Sequence, residues 1–377
     1  VSAGALAPGR TIGILGGGQL GHMLAEAARA LGYKTAALDP AKDSPALKFV
    51  DVAVVGPIDA PASARALAEA SDLLTLEWEL IPAPVLEEAA RLRPLYPAPS
   101  VLAVIRDRLE QRKFLARRGF PQTDFGEARD AGSLPYYPTI VKRRTHGYDG
   151  KGQARFASEN EARSGSAIFA APCVWEKIVP FAKEISVILA RGRGGEMSAY
   201  PVAENLHRGG ILHATRAPAE ISEETSSRAV ALARRVAEEL GHVGVLALEL
   251  FLLPNGELLV NEIAPRVHNS GHYTLGGCAC SQFEQHMRAV AGLPLGPTEM
   301  KGPATMVNLM GELWEQGEPD WSALDGVPGL TLRLYGKSSA RPGRKMGHYV
   351  VVGAAAAEEW RRADERLAAL ARGTARP

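Results

Sequence analysis

The stretch "LALELFLLPNGELLVNEIAPR", Leu246 to Arg266, decides how this chain is read. Two apolar runs flank Asn255-Gly256, a dipeptide that strongly signals a tight β-hairpin turn. A two-residue turn sets Pro254 opposite Glu257 and, followed down the ladder, Glu249 opposite Glu262. A symmetric four-residue loop preserves that register, whereas a three-residue loop breaks it. In the preserved register two carboxylates share one face, roughly 5 Å apart at Cβ. Leu248, Leu250, Leu259 and Ile263 surround them, which weakens the alternative of two ordinary surface glutamates. Like charges so close repel unless a cation or a shared proton lies between them. Carboxylates with positions left open for phosphate oxygens suit Mg²⁺. The pattern predicts Glu249 and Glu262 as a metal pair.

Immediately beyond, "NEIAPRVHNSGH" crowds Arg266, His268, Asn269, Ser270 and His272 behind Glu262. One histidine is usually structural, but a cluster of donors beside paired carboxylates points to a site for an anionic substrate or transition state. Upstream, "VKRRTHGYDGKGQ" places Lys142 at a strand end before a loop holding Gly147, Gly150 and Gly152. Glycines let backbone N–H groups approach phosphates, and the lysine adds a fixed charge. The spacing is neither that of a P-loop nor that of a kinase loop. A flexible surface hairpin is the alternative, and Asp149 and Lys151 inside the loop weigh against it. Near the C-terminus "YGKSSARPGRKMGHY" gathers Lys337, Arg341, Arg344 and Lys345 around Pro342-Gly343. That is either a solvated basic turn or a local phosphate cluster.

The bulk properties narrow the class. A chain of 377 residues has room for two or three domains and an ample core. Its hydrophobic share of 46% and charged share of 23% are those of a soluble globular protein. A net charge of +1 argues against a nucleic-acid binder. Cys173, Cys278 and Cys280 are too few for a disulfide framework and read as buried, reduced thiols of a cytosolic enzyme. Cys278 and Cys280 lack partners at zinc-site spacing. No apolar run reaches the ~18 residues of a membrane span, and "VSAGALAPGR" reads as a loose arm rather than a signal peptide.

From Thr11 to about residue 105, "TIGIL", "TAALD", "VDVAVVG" and "DLLTLE" read as buried strands with helices between them, hence a parallel sheet. Gly16, Gly18 and Gly21 of "GGGQLG" fit G-x-G-x-x-G, and Asp39 follows where a ribose-binding acid belongs. A nicotinamide-dependent oxidoreductase is therefore a rival reading. From Asp107 the organisation changes. "DRLEQRKFLARRGF" is an amphipathic helix with Leu109, Phe114 and Leu115 on its apolar side. Strands follow at "TIVKRR", "CVWEKIV", "EISVILAR" and "MSAYPVA", then a helix from about Glu223 to Leu240. The tail from about residue 300 holds short strands and a last Ala/Arg/Glu-rich helix.

Together these segments resemble the ATP-grasp superfamily and, within it, the N5-carboxyaminoimidazole ribonucleotide synthetases of purine biosynthesis. The likeness runs from "GILGGGQLG" through "KRRTHGYDGKGQ", "LHRGGIL", "VGVLALELF" and "NEIAPRVHNSGHYT" to "RPGRKMGHY". "YDGKGQ" followed by "NEIAPRVHNSGH" is highly specific, whereas "GGGQLG" alone is weak. The resemblance implies a mixed α/β and α+β chain in three parts: a Rossmann-like parallel sheet over residues 1–105, an ATP-grasp domain over 106–298 with a lid at about 115–180, and a small β-rich domain over 299–377. It implies ATP-dependent carboxylation of 5-aminoimidazole ribonucleotide with bicarbonate, by way of carboxyphosphate.

Carried over by motif, the resemblance implies ATP contacts at Arg108, Lys142, Gly147, Tyr148, Asp149, Gly150, Lys151, Gly152, Gln153, Glu176, Lys177, Ile178, Val179, Glu184, His207, Asn261 and Glu262. Mg²⁺ falls to Glu249 and Glu262, in agreement with the hairpin register. Gln19, Leu20, Glu77, Asp149, Arg266, His268, Lys337 and Arg344 fall to the ribonucleotide, and Tyr148, Asp149, Arg266 and His268 to the carboxylation itself. The glycine turn then faces the ribonucleotide, and Asp39 loses its ribose role. His146 stands where the family more often has glycine. A cytoplasmic homodimer is implied, without nucleic-acid or membrane partners. A formate-dependent purine enzyme and a non-catalytic nucleotide-binding regulator are the remaining alternatives.

Overall fold

The computed structural model describes residues 4–145, 147 and 152–371. The first sheet holds β1 (Thr11–Leu15), β2 (Lys34–Asp39), β3 (Val52–Val55) and β4 (Leu73–Leu76), all parallel, in the order β3-β2-β1-β4. Alternation along these strands divides their side chains between two cores. Leu15, Leu38, Leu74 and Leu76 pack against the helices Pro61–Glu69 and Ala83–Leu92. Ile12, Ile14, Ala37 and Leu73 pack toward the helix Gln19–Ala30 and into the central part of the molecule. One expectation fails here. "VDVAVVG" is not a buried strand, because β3 is the sheet edge and leaves Val52 41% and Val55 53% exposed.

A second, antiparallel sheet contains β5 (Phe125–Ala128), β6 (Thr139–Arg143), β7 (Gln153–Phe156) and β8 (Cys173–Lys177), ordered β5-β8-β6-β7. The third runs through β9 (Lys183–Arg191), β10 (Met197–Ala199), β11 (Ala203–Arg208), β12 (Ile211–Ala217), β13 (Gly244–Leu252), β14 (Leu258–Ala264), β15 (Ala304–Met310), β16 (Leu330–Leu334) and β17 (Lys345–Val352). Its order is β14-β13-β9-β11-β12-β15-β17-β16, with β10 on β9. The segment from residue 299, expected as a small β-rich domain, joins its strands to the central sheet through the ladder from Ala214↔Val307 to Ala217↔Ala304. Local patterning marks strands but does not name their partners.

The β13–β14 hairpin keeps the expected pair by an unexpected route. Its loop is Pro254-Asn255-Gly256, closed by Leu253 N–H donating to the Glu257 carbonyl at 2.9 Å, with Gly256 at φ 85°. Proline has no N–H with which to close the narrow pair of a two-residue turn, so the ladder closes one residue earlier. Such a three-residue loop alone would break the register. A bulge between Glu249 and Leu250 restores it: Leu250 pairs with Val260, Glu249 pairs with Glu262, and Asn261 is the extra residue. Among the described residues no helix is long and apolar enough to cross a membrane.

Candidate active site

All three parts of the chain line one cavity of about 710 Å³. At its centre Glu249 and Glu262 face each other across the hairpin. Burial, followed by the charges of Glu184 and Glu262, pushes the Glu249 carboxyl up to about 8. Glu262, despite its own desolvation, is held below its ordinary value by Arg108, whose Nη1 lies 3.1 Å from Oε2. The bulged Asn261 turns its Nδ2 onto Glu249 Oε2 at 3.3 Å. Burial and neighbouring carboxylates that disfavour the charged form of Glu249 are what a bound cation would offset. Among the described residues no group of three or more His, Cys, Asp or Glu forms a metal cage. Two carboxylates, with the other positions left to water and phosphate oxygens, fit Mg²⁺.

Basic and acidic groups ring this pair. Lys142 Nζ meets Glu176 Oε2 at 2.6 Å, and Arg112 Nε meets Oε1 at 2.9 Å. Burial alone would raise the Glu176 carboxyl, but Lys142 and Arg112 hold it well below the usual range. Burial lowers the Lys142 pKa against the pull of Glu176. His207 Nδ1 lies 3.2 Å from Glu184, which raises its pKa against burial. Arg108 Nη2 also donates to the Gly147 carbonyl at 3.1 Å. Gly147, Gly152 and Gln153 line the cavity. Glu176, Lys177, Ile178 and Val179 are not among the lining residues; they lie at and just beyond the end of β8, where Thr123 Oγ1 donates to the Lys177 carbonyl at 2.8 Å. His146, Tyr148, Asp149, Gly150 and Lys151 lie outside the described residues.

The segment after Glu262 is built as a row of oriented donors. Ser270 N–H donates to His268 Nδ1 at 3.3 Å, so the ring carries its proton on Nε2, 3.6 Å from Glu249 Oε1. Burial, then Arg266 and Lys345, hold His268 well below its ordinary pKa. Arg266 grips Glu79 with Nε and Nη2, the latter at 2.8 Å. Lys337, Arg341 and Arg344 from the turn before β17, with Lys345 at the start of that strand, also line the cavity. Arg344 Nη1 donates to the Ser339 carbonyl and hydroxyl at 2.6 and 2.8 Å, and Lys337 Nζ to the Lys345 carbonyl at 2.7 Å.

Gln19, Leu20 and Glu77 line the same cavity, and here the glycine turn explains itself. Glu77 accepts from Gly18 N–H and Gly21 N–H, both at 2.5 Å. Asp39 accepts from Gly17 and Ala41 N–H at 2.9 and 2.8 Å. Gly16 sits at φ 104°, where an added Cβ would stand 2.4 Å from Glu77 Cγ. The donors that would hold a dinucleotide's pyrophosphate already hold the chain's own carboxylates. That removes the physical basis of the oxidoreductase reading.

The sequence reasoning missed Glu79 and Arg112, and also the stacked pair Phe181–Phe251 (centroids 4.6 Å apart), which lines the cavity. Two signals were available. Glu79 repeats the acidic residue two positions after Glu77 at a strand end, and Arg112 falls on the helical stripe of Leu109 and Leu115.

Three domain families match successive stretches: the ribonucleotide synthetase preATP-grasp domain over residues 9–106, the ATP-grasp domain over 115–283, and the phosphoribosylaminoimidazole carboxylase C-terminal domain over 304–362. The N5-carboxyaminoimidazole ribonucleotide synthase of Brucella melitensis is 43% identical over 352 residues, spanning 91% of this chain and 96% of that protein. The chain belongs to the N5-carboxyaminoimidazole ribonucleotide synthase family. The family's solved structures share its whole architecture. The Staphylococcus aureus N5-carboxyaminoimidazole synthetase complexed with ADP superposes with a TM-score of 0.90 at 32% identity, over 97% of this chain and 99% of that one. The Aspergillus clavatus N5-carboxyaminoimidazole synthase, in complex with ADP and 5-aminoimidazole ribonucleotide, gives 0.87 at 31% identity, over 97% and 99%. The mixed α/β class, the N-terminal parallel sheet and the ATP-grasp core expected from sequence are those of this family.

Proposed function

We propose that the chain uses ATP and bicarbonate to carboxylate the amine of 5-aminoimidazole ribonucleotide, giving N5-carboxyaminoimidazole ribonucleotide, ADP and phosphate. One observation carries this: the paired glutamates, the donor row from Arg266 and the basic turn all open into one cavity. A bicarbonate oxygen attacks the γ-phosphorus of ATP, the bond to the bridging oxygen breaks, and ADP leaves carboxyphosphate behind. Carboxyphosphate releases phosphate and CO₂, and the amine attacks CO₂ and gives up a proton.

Arg108, Lys142, His207 and the loop from Gly147 to Gln153 bind the ATP phosphates, with the base beside residues 176–179. Glu249 and Glu262 would hold Mg²⁺, which when bound would supply positive charge to offset that on the transferring phosphoryl group. Arg266 and His268 hold bicarbonate and its phosphorylated form, and Tyr148 and Asp149 are assigned to the carboxylation by their motif alone. Gln19, Leu20 and Glu77 contact the body of the ribonucleotide. Lys337 and Arg344 take its phosphate, for which arginine's planar fork is suited. Enclosure keeps water from carboxyphosphate.

The working divisions are residues 1–105, 106–298 and 299–377, and a cytoplasmic homodimer completes the reading. ADP release should require bicarbonate and rise with added ribonucleotide, and titration with NADH should give no heat. Tight NADH binding without an ATP signal would falsify the reading.

A further inference from the structure

Glu77-Trp78-Glu79 leaves the end of β4 and forms part of the cavity wall. Its two carboxylates point to different parts of the molecule. Glu77 closes the glycine turn of its own domain, whereas Glu79 reaches Arg266, 187 residues away on the segment that follows β14. Arg266 gives Glu79 both Nε and Nη2, and its Nη1 donates to the Val267 carbonyl at 3.1 Å. Both side chains are 16% exposed.

A guanidinium has five N–H donors in one rigid plane. A two-point grip on one edge fixes both the position and the tilt of that plane. With Nε and one N–H of Nη2 held by Glu79, and one N–H of Nη1 held by Val267, two N–H groups remain. Arg266 is part of the cavity lining, four residues beyond Glu262. An arginine on a flexible stem loses rotamer freedom whenever it is ordered, and Glu79 has ordered it beforehand.

We propose that Glu79 is a positioning residue, which aims the two remaining N–H groups of Arg266 at the carboxyl group in transit. This rests on the proposed function, since it assigns Arg266 to that group. The bridge also ties the arginine to the strand end that holds Glu77. Carboxyl transfer then depends on the seating of the N-terminal sheet against the central one.

The test compares ADP released with ribonucleotide carboxylated. In the unaltered protein the two should be equal. Glu79→Gln keeps the side-chain volume, removes the charge and sets an N–H₂ group against a guanidinium donor. A misaimed Arg266 lets water reach carboxyphosphate, which hydrolyses to bicarbonate and phosphate. Released ADP should then exceed product severalfold, and product turnover should fall roughly tenfold or more. The KM for ATP should stay within about twofold, because the bridge touches no ATP-site residue. Glu79→Asp, which keeps the charge, should restore most of the coupling. Equal ADP and product in Glu79→Gln, with turnover unchanged, would overturn the proposal even if the protein melted at a lower temperature, because a merely structural bridge predicts that result. Should Glu79→Gln not fold, Arg266→Lys keeps the charge without the fork and must uncouple the reaction in the same way. Failure of the unaltered protein to release ADP in response to ribonucleotide counts instead against the function.

Discussion

Glu262 takes part in two arrangements, the facing pair with Glu249 and the bridge to Arg108. Glu262→Gln preserves volume and removes one negative ligand. The expected result is a folded protein whose turnover falls by at least ~10–100-fold, the range seen when even outer-shell metal partners are lost. Added Mg²⁺ should recover part of the activity, and near-normal turnover at limiting Mg²⁺ would refute the assignment. Glu176 differs in kind, because both of its oxygens are bound to cations and the side chain is only 3% exposed. Glu176→Gln leaves Arg112 and Lys142 buried without a counter-charge, which costs about 3–5 kcal/mol. Urea unfolding measures it, and an unchanged midpoint would show that the two cations find other partners.

At the scale of elements, the glycine turn and the hairpin divide what the sequence discloses from what it does not. The G-x-G-x-x-G spacing, the strand before it and the helix after it were legible because they are local. Its occupant was not, since Glu77 lies 56 residues beyond Gly21 and only the parallel pairing of β1 with β4 brings them together. Gly16→Ala should therefore act through Glu77. The new Cβ collides with that side chain and the φ of 104° strains any L residue, so a loss of about 1–3 kcal/mol is expected. Ribonucleotide affinity should fall with it while ATP affinity holds; calorimetry with each ligand separates the two. In the hairpin, Glu249 and Glu262 were legible as partners, but the loop length was misread and the bulge at Asn261 was not foreseen. Pro254 was the available clue to the loop. No clue to the edge position of β3 was available, because strand order is set by contacts distant in sequence.

For the molecule as a whole, buried histidines set the response to acid. His286 accepts from Val245 N–H through Nδ1 at 3.0 Å and meets Thr75 Oγ1 through Nε2 at 2.7 Å, joining β13 of the central sheet to β4 of the first. Burial lowers His286 and His348 to about 3 and His242 to about 4. The unfolded chain takes up these protons near pH 6.5 and the folded chain does not. The contribution of these three histidines is therefore constant above about pH 6.5 and falls as pH drops toward 4, by about 1.4 kcal/mol per unit for each. A single opposing slope comes from Glu249, whose raised carboxyl favours the folded state as pH falls below about 8. Melting temperatures at pH 7.5, 6 and 5 should show that slope, and His286→Phe should make it shallower; a stability independent of pH over that range would contradict the neutral assignments. The join between β12 and β15 has a mechanical consequence. It puts the hairpin glutamates and the basic turn on one continuous sheet, so with the ribonucleotide phosphate at that turn, as proposed, the cavity would act as a caliper set to one span between phosphate and amine. A ribonucleotide lengthened by one methylene between ribose and phosphate should still anchor at both jaws, yet present its amine about 1 Å out of place. Such a misplacement costs on the order of a hundredfold in rate, so carboxylation should collapse while binding survives.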